Sequence, residues 1–273
     1  MPRTPILLAA FAAVSLYQAD ALAVRADCSQ VLKAVGGPAL KTALKTALGG
    51  ATNSTAANTG LPLAQWAAVV DRSGKVCAVV YSGADEQAQW PGSRVIAMQK
   101  ANTANAFSLD GLALSTANLW AATQPGGSLF GLQFSNPVNP TTAYQGDAAA
   151  FGTGPDDPAH GSRVGGVNVF GGGLALYDSS GVIGGLGTSG NTSCADHIIG
   201  WKTRHALHLD FVPGGVSPTG DDNIIFDIQN GPVTSSNGAS KVSASGFGHP
   251  TCGSGPEKAV AGSLPTDYPI SKK

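Results

Sequence analysis

The chain has 273 residues, with 16 Lys and Arg against 17 Asp and Glu, a net charge of −1 and a charged fraction of only 12%. That balance excludes the basic footprint of a nucleic-acid binder. The length suits one large domain or a core domain with a long extension, and the second is expected here.

Residues 1 to 23 read as an export signal. Arg3 is the positive start, Ile6 to Leu16 the apolar run and Ala21-Leu22-Ala23 the small-x-small cleavage site. A membrane anchor takes about 20 apolar residues, which this run does not reach, and no later segment is apolar enough to span a bilayer. The expected mature chain begins at Val24, keeps a net charge of −1 because Arg3 and Asp20 leave together, and is periplasmic or secreted.

Ala39 to Leu48 predicts an amphipathic helix, where Leu40, Leu44 and Leu48 fall on one face and Lys41 and Lys45 on another. A repeated phrase follows. Asp71-Arg72-Ser73-Gly74 precedes Ser82-Gly83, and Asp178-Ser179-Ser180-Gly181 precedes Ser189-Gly190 at the same spacing. Each phrase is flanked by apolar runs, Trp66 to Val70 and Val76 to Tyr81, then Leu174 to Tyr177 and Val182 to Leu186. Each therefore predicts a β-hairpin, with Asp and Ser bonding the turn backbone and Gly taking a positive φ. Helices are predicted after both, over Gly92 to Leu109 and Cys194 to Leu207. Between them, Gln124 to Gly166 is rich in Gly, Pro and Asn and reads as loop. A loop this long is usually functional or an oligomer contact. The tail from Val212 to Lys273 is similar, with one strand candidate at Asn223 to Ile228, and is expected to wrap the core.

Cys28, Cys77, Cys194 and Cys252 are an even number in an exported chain, which favours two disulfides. Of three connectivities, Cys28 with Cys77 and Cys194 with Cys252 is chosen, because the second pair ties the extension to the core. Antiparallel hairpins with helices before and after them predict an α+β domain over 24 to 209 with one central sheet, and a loop-rich C-terminal extension over 210 to 273 packed on it.

Four segments, AVVDRSGKVCAVVYSGA at 68 to 84, SRVIAMQKANTANAFS at 93 to 108, GGVNVFGGGLALYDSSGVIGGLGTSG at 165 to 190 and CADHIIGWKTR at 194 to 204, resemble in order and spacing the GlcG/HbpS-like haem-binding family. That group includes the C-terminal domain of some corrinoid adenosyltransferases. The resemblance implies a profilin-like antiparallel sheet flanked by helices, a homo-oligomer of dimers or larger rings, and non-covalent haem b as ligand, with haem degradation attributed to some members. The export signal, the cysteines, the central insertion and the tail after 207 depart from the short family pattern.

Lys100 and Thr103 match the Lys-x-x-Thr that the family places on this helix, and Phe107 lies one turn beyond. Lysine suits a propionate, threonine the iron or its water, and phenylalanine the porphyrin face. The competing reading makes Lys100 a solvated helix residue, Thr103 a donor to the previous turn and Phe107 core. His197 opens a helix after a Gly-rich turn and is the candidate imidazole ligand for haem iron, or else points into solvent. Thr103 is the other candidate iron ligand. A porphyrin would rest on Phe107 or Phe170, with its propionates near Lys100 or Arg94. His205 and His208 form a weak metal pair, His160 and His249 fall in stretches read as flexible, and His249-Pro250-Thr251-Cys252 reads as a structural turn beside a disulfide.

Gly185 to Gly190 spells GxGxxG but follows a hairpin strand, so its glycines are read as close packing or as room for a flat ligand. Asp156-Asp157 and Asp221-Asp222 read as solvated turns. No nucleophile elbow, P-loop, HExxH or CxxCH occurs. The expected function is an exported haem carrier, sensor or scavenger; the alternatives are an enzyme acting on a small organic substrate, or a structural oligomer without ligand.

Overall fold

Asp71 Oδ1 accepts from the backbone N–H of Ser73 at 2.8 Å, from that of Lys75 at 3.0 Å and from the Ser73 hydroxyl at 2.7 Å. Asp178 Oδ1 does the same for Ser180, at 2.7 Å to the amide and 2.6 Å to the hydroxyl. Both phrases thus close hairpins through local side-chain chemistry. In the computed structural model, which describes residues 27–36, 38–233, 239–253 and 255–271, the first hairpin is β1 (Trp66–Asp71) with β2 (Val76–Tyr81). A two-residue β3 (Thr153–Gly154) precedes the second hairpin, β4 (Gly173–Asp178) with β5 (Gly181–Ser189). The hairpins join through antiparallel β1 and β5 into a five-stranded sheet of order β3-β2-β1-β5-β4.

The helices are α1 (Cys28–Val35), α2 (Ala39–Leu48), α3 (Thr55–Asn58), α4 (Gly92–Ala106), α5 (Leu132–Ser135), α6 (Pro140–Ala143), α7 (Ser193–Ala206) and α8 (Glu257–Asp267). Alternation along β1 sorts them into layers. Trp66, Ala68 and Val70 pack against Val95, Ala97, Met98 and Ala101 of α4. Ala67 and Val69 face the opposite layer, built from Val31 and Val35 of α1, Leu40, Leu44 and Leu48 of α2, and Ala195 and Ile199 of α7. Each buried leucine of α2 contributes about 1.5–3 kcal/mol. Gly185 and Gly187 let α4 lie directly on β5, since a Cβ on either meets the carbonyl oxygen of Ala101 or Ala97. The fold is the expected α+β sheet flanked by helices, and the GxGxxG run is a packing strand.

Both disulfides take the expected connectivity, Cys28–Cys77 and Cys194–Cys252. The export signal lies outside the described residues. The central stretch is mostly loop, with α5, α6 and β3 as short ordered pieces, and Ala143, Ala159 and Val164 enter the α4 layer.

The tail differs from expectation in detail. Asn223 to Asp227 is not a strand, and among the described residues β6 (Ile228–Val233) pairs only with β7 (Ala239–Ser243). The backbone groups of that run are used elsewhere: the N–H of Ile224 meets Asn223 Oδ1 at 2.8 Å, and the carbonyl of Ile225 accepts from His249 N–H at 2.7 Å. Ile224, with Ala261 and Leu264 of α8, packs on Ile198 and Trp201 of α7.

Candidate functional site

Lys100 on α4 reaches across the start of β4 to Asp196 in the first turn of α7. Its Nζ lies 2.7 Å from Asp196 Oδ2 and 3.2 Å from the Thr188 carbonyl, with no exposed surface. Burial pulls the Lys100 pKa below the usual lysine range and pushes Asp196 up to about 6, against the charge of its partner. Gly172 passes so close over this pair that a Cβ there would lie 2.9 Å from the Lys100 Nζ. Phe170 follows on, with the same ammonium 4.8 Å from its ring centroid.

Thr103 stands one turn further along α4. Its Oγ1 donates to the Gln99 carbonyl at 2.8 Å and accepts from Asn168 N–H at 3.0 Å, while Asn102 donates to the Gly166 carbonyl. These bonds lay the segment carrying Phe170 along α4. Phe107 caps the helix and is half-buried.

Arg94 lies elsewhere, roughly 9 Å back along the helix axis from Lys100. Its guanidinium is bidentate to Asp157, donates to the Ala143 carbonyl at 2.7 Å and stacks on Phe151 at 3.8 Å. It lines a cleft of about 420 Å³ with Trp66, Tyr144 and Phe151. The structure therefore brings together Lys100, Phe170 and the opening of α7, and leaves Arg94 apart. Both cations are already committed to buried carboxylates.

His197 is fully buried beside Asp196. Its Nε2 is 3.2 Å from Asn223 Oδ1, and because Asn223 Nδ2 donates to the Ala261 carbonyl at 2.8 Å, that oxygen is the acceptor. The backbone N–H of Ile224 also lies 3.1 Å from Nε2 and can only donate to it, so Nε2 has a partner in either tautomer, while Nδ1 is buried without one. Burial, then the charge of Arg204, pushes the His197 pKa down to about 3. The ring is neutral, as a metal ligand requires.

His249, close in sequence to the Cys194–Cys252 disulfide, is 1% exposed. It sits near Trp120 and Phe226, with ring centroids at 6.2 and 6.5 Å. Its Nδ1 is 2.6 Å from the Pro250 carbonyl, which only accepts, so Nε2 carries the lone pair, and that atom too is buried without a partner. Burial pushes this pKa down to about 4, with a further contribution from the charge of Lys100. The sequence carried a signal for this placement: the Cys194–Cys252 pairing alone brings His249 close to Asp196 and His197.

The other candidates resolve differently. His205 Nδ1 pairs with Asp210 at 2.7 Å, while His208 lies past the helix end, exposed, with φ at +56°, so the two do not form a metal pair. Asp156 is exposed, as a solvated turn would be, but the other acids are buried: Asp157 holds Arg94, Asp222 holds Arg204 at 2.7 Å, and Asp221 accepts from the Ser217 hydroxyl and the Asn223 amide. Among the described residues the one close group of three ligand-type side chains is Cys28, Asp71 and Cys77, whose cysteines are joined as a disulfide. Of the two candidate iron ligands, His197 keeps one ring nitrogen without a partner, whereas the hydroxyl of Thr103 is engaged by Gln99 and Asn168.

A family model described as haem-degrading protein, HbpS-like, matches residues 40–203. No curated protein sequence matches the chain. Among solved structures, Klebsiella pneumoniae protein ORFY, of the family DUF336, is 24% identical, with 64% of this chain and 88% of that one covered at a TM-score of 0.41. A PduOC:haem complex is also 24% identical, with 61% and 88% covered at a TM-score of 0.39.

Proposed function

The chain belongs to the HbpS-like haem-degrading protein family, and from that premise we propose that it is an exported protein that binds haem b non-covalently and carries, senses or scavenges it. The observation that carries this reading is the buried Nδ1 of His197, neutral and without a hydrogen-bond partner. Bound haem would supply an iron that accepts such an imidazole as axial ligand. Phe170 offers an apolar wall beside it, and burial of the flat porphyrin supplies most of the affinity. Lys100 orients the site through Asp196, and Thr103 holds the Phe170 segment in place. Propionates are left to solvent or to groups other than Lys100 and Arg94, because freeing either cation breaks a buried ion pair at a cost of about 3–5 kcal/mol.

Periplasmic or secreted location is supported by the leader-like residues 1 to 23 and by two disulfides, which persist in oxidising compartments. A homo-oligomer is supported by the large apolar side chains of the central stretch, Phe130 at 59% and Phe134 at 82% exposed. The extension from residue 210 belongs to the same folded body through its contacts with α7.

The family description favours haem breakdown as a second reading. The two separate in solution: hemin with peroxide or a reductant loses its Soret band faster with this protein than with albumin if the chain degrades haem, and at the same rate if it only binds. The binding reading itself is tested by hemin titration of residues 24 to 273. A saturable, shifted Soret band that His197→Gln abolishes supports it, and an unchanged band in that variant sinks the placement of the iron.

A further inference from the structure

The cleft of about 420 Å³ beside Arg94 lies outside the haem reading. Its floor is the Arg94–Asp157 pair, neither side chain of which is more than 2% exposed. A buried pair of this kind adds little net stability, and its effect is on what it touches. Arg94 donates to the carbonyl of Ala143, next to Tyr144, and its guanidinium lies 3.8 Å from the centroid of Phe151. Asp157 in turn accepts from the N–H of Gly152, next to Phe151, at 2.8 Å. The opposite wall is held separately: Trp66 Nε1 donates to the Trp90 carbonyl at 3.0 Å, which anchors the segment that brings Glu86 and Pro91 to the cleft. Three aromatic rings, Trp66, Tyr144 and Phe151, thus stand around one opening on a fixed frame.

Charge decides what fits between them. Arg94 and Asp157 cancel, so the formal charge left in the lining is the Glu86 carboxylate. Glu86 is half-buried and accepts from the Gln87 side-chain amide at 3.3 Å, and among the described residues no Lys or Arg forms an ion pair with it. The two lips, residues 85 to 92 and 144 to 151, contribute Asp85, Glu86 and Asp147 and no Lys, Arg or His. Such a cleft repels anions and concentrates cations. We infer that it binds a small organic ammonium ion, with the positive head against the aromatic rings and Glu86 and the apolar body inside the cleft. Ring faces carry the negative part of the aromatic quadrupole and attract such a head within about 6 Å of their centroids. The volume falls within the range of about 300–1,000 Å³ usual for small-molecule sites. A bare metal ion fits less well, because Glu86 belongs to no close group of three ligand-type side chains among the described residues. His197 and Lys100 are absent from the lining, so this site stands or falls apart from the haem reading.

The test is calorimetric titration of the full mature chain with benzyltrimethylammonium, and with benzyl alcohol and phenylacetate as neutral and anionic counterparts of similar size. Wild type is expected to bind the cation saturably, one per chain, and to bind the two counterparts far more weakly. Glu86→Gln, which keeps the shape and removes the charge, and Tyr144→Ala, which removes an exposed wall, should each weaken binding about tenfold. Thermal melts of both variants should match wild type, since neither side chain is in the core. Should Tyr144→Ala fail to fold, Glu86→Gln decides alone. Benzyl alcohol or phenylacetate binding as tightly as the cation would overturn the ammonium assignment. Wild-type affinity in Glu86→Gln, or no saturable binding of the cation by wild type, would overturn the site. Hemin titrations of wild type and Tyr144→Ala should coincide, and a difference between them would overturn the independence of this cleft from the haem site.

Discussion

Lys100 Nζ and Asp196 Oδ2 stand 2.7 Å apart with neither side chain open to solvent, tying α4 to the first turn of α7 across the start of β4. Removing one partner strands the other charge. Lys100→Met or Asp196→Leu is expected to cost about 3–5 kcal/mol in urea unfolding, whereas the double variant should cost less than either alone. Single variants within about 1 kcal/mol of wild type would show that the pair does not organise the site.

Acid should loosen the ligand-free protein in a defined window. Burial holds His197 at about 3 and His249 at about 4, against 6.5 for the free side chain. Below pH 6.5 the unfolded chain takes up protons that the folded one refuses. The stabilising contribution of both rings is thus complete above pH 6.5 and is lost as pH falls toward 4 and 3. Asp196, raised to about 6 from 3.8, works in the opposite sense between those values. Two groups against one leave a net loss of stability from these three residues as pH falls from 6 toward 4. Urea midpoints measured from pH 7 down to pH 4.5 should fall, and less steeply in His249→Gln; equal slopes for the two proteins would contradict the burial of that ring.

Gly187 is a spacing residue. A Cβ there meets the Ala97 carbonyl and lies 2.6 Å from the Ala101 amide, both backbone atoms that cannot swing away. Gly187→Ala is expected to destabilise by about 1–3 kcal/mol through overpacking. Gly92→Ala, at an open position, should change stability little. Equal melting temperatures for the two variants would mean that α4 does not rest directly on β5.

What was legible in the sequence is what local chemistry decides. The hairpins follow from Asp and Ser bonding backbone within four residues, and the helices from apolar spacing around Leu40, Ala101 and Ile198. The disulfide pairing followed from asking which cysteine ties down the tail. The misses share a different physics. Asp157 looked like a turn acid because its partner Arg94 is 63 residues away, and Asp222 because Arg204 is 18 away on a helix. Asn223 to Ile228 has strand composition, but its backbone groups are taken by an asparagine side chain and by His249, so it forms no ladder. Helix α1 carried a readable cap, Asp27 accepting from the amides of Ser29 and Gln30, but α8 has Gly262 and Pro265 inside it and no clear apolar stripe. The site was half legible: Lys100, Phe170 and the first turn of α7 come together, while Arg94 belongs to another cleft and the burial of His249 depends on the tail's path.

The central claim is that the buried imidazole of His197 receives haem iron. Its most direct measurement is a hemin titration of wild type and His197→Gln, followed at the Soret band with albumin as control. The account predicts a saturable, shifted band near one haem per chain or per dimer in wild type, and its loss in the variant, with the fold retained by circular dichroism. An unshifted, unsaturable band in wild type, or the same shifted band in both proteins, would contradict it.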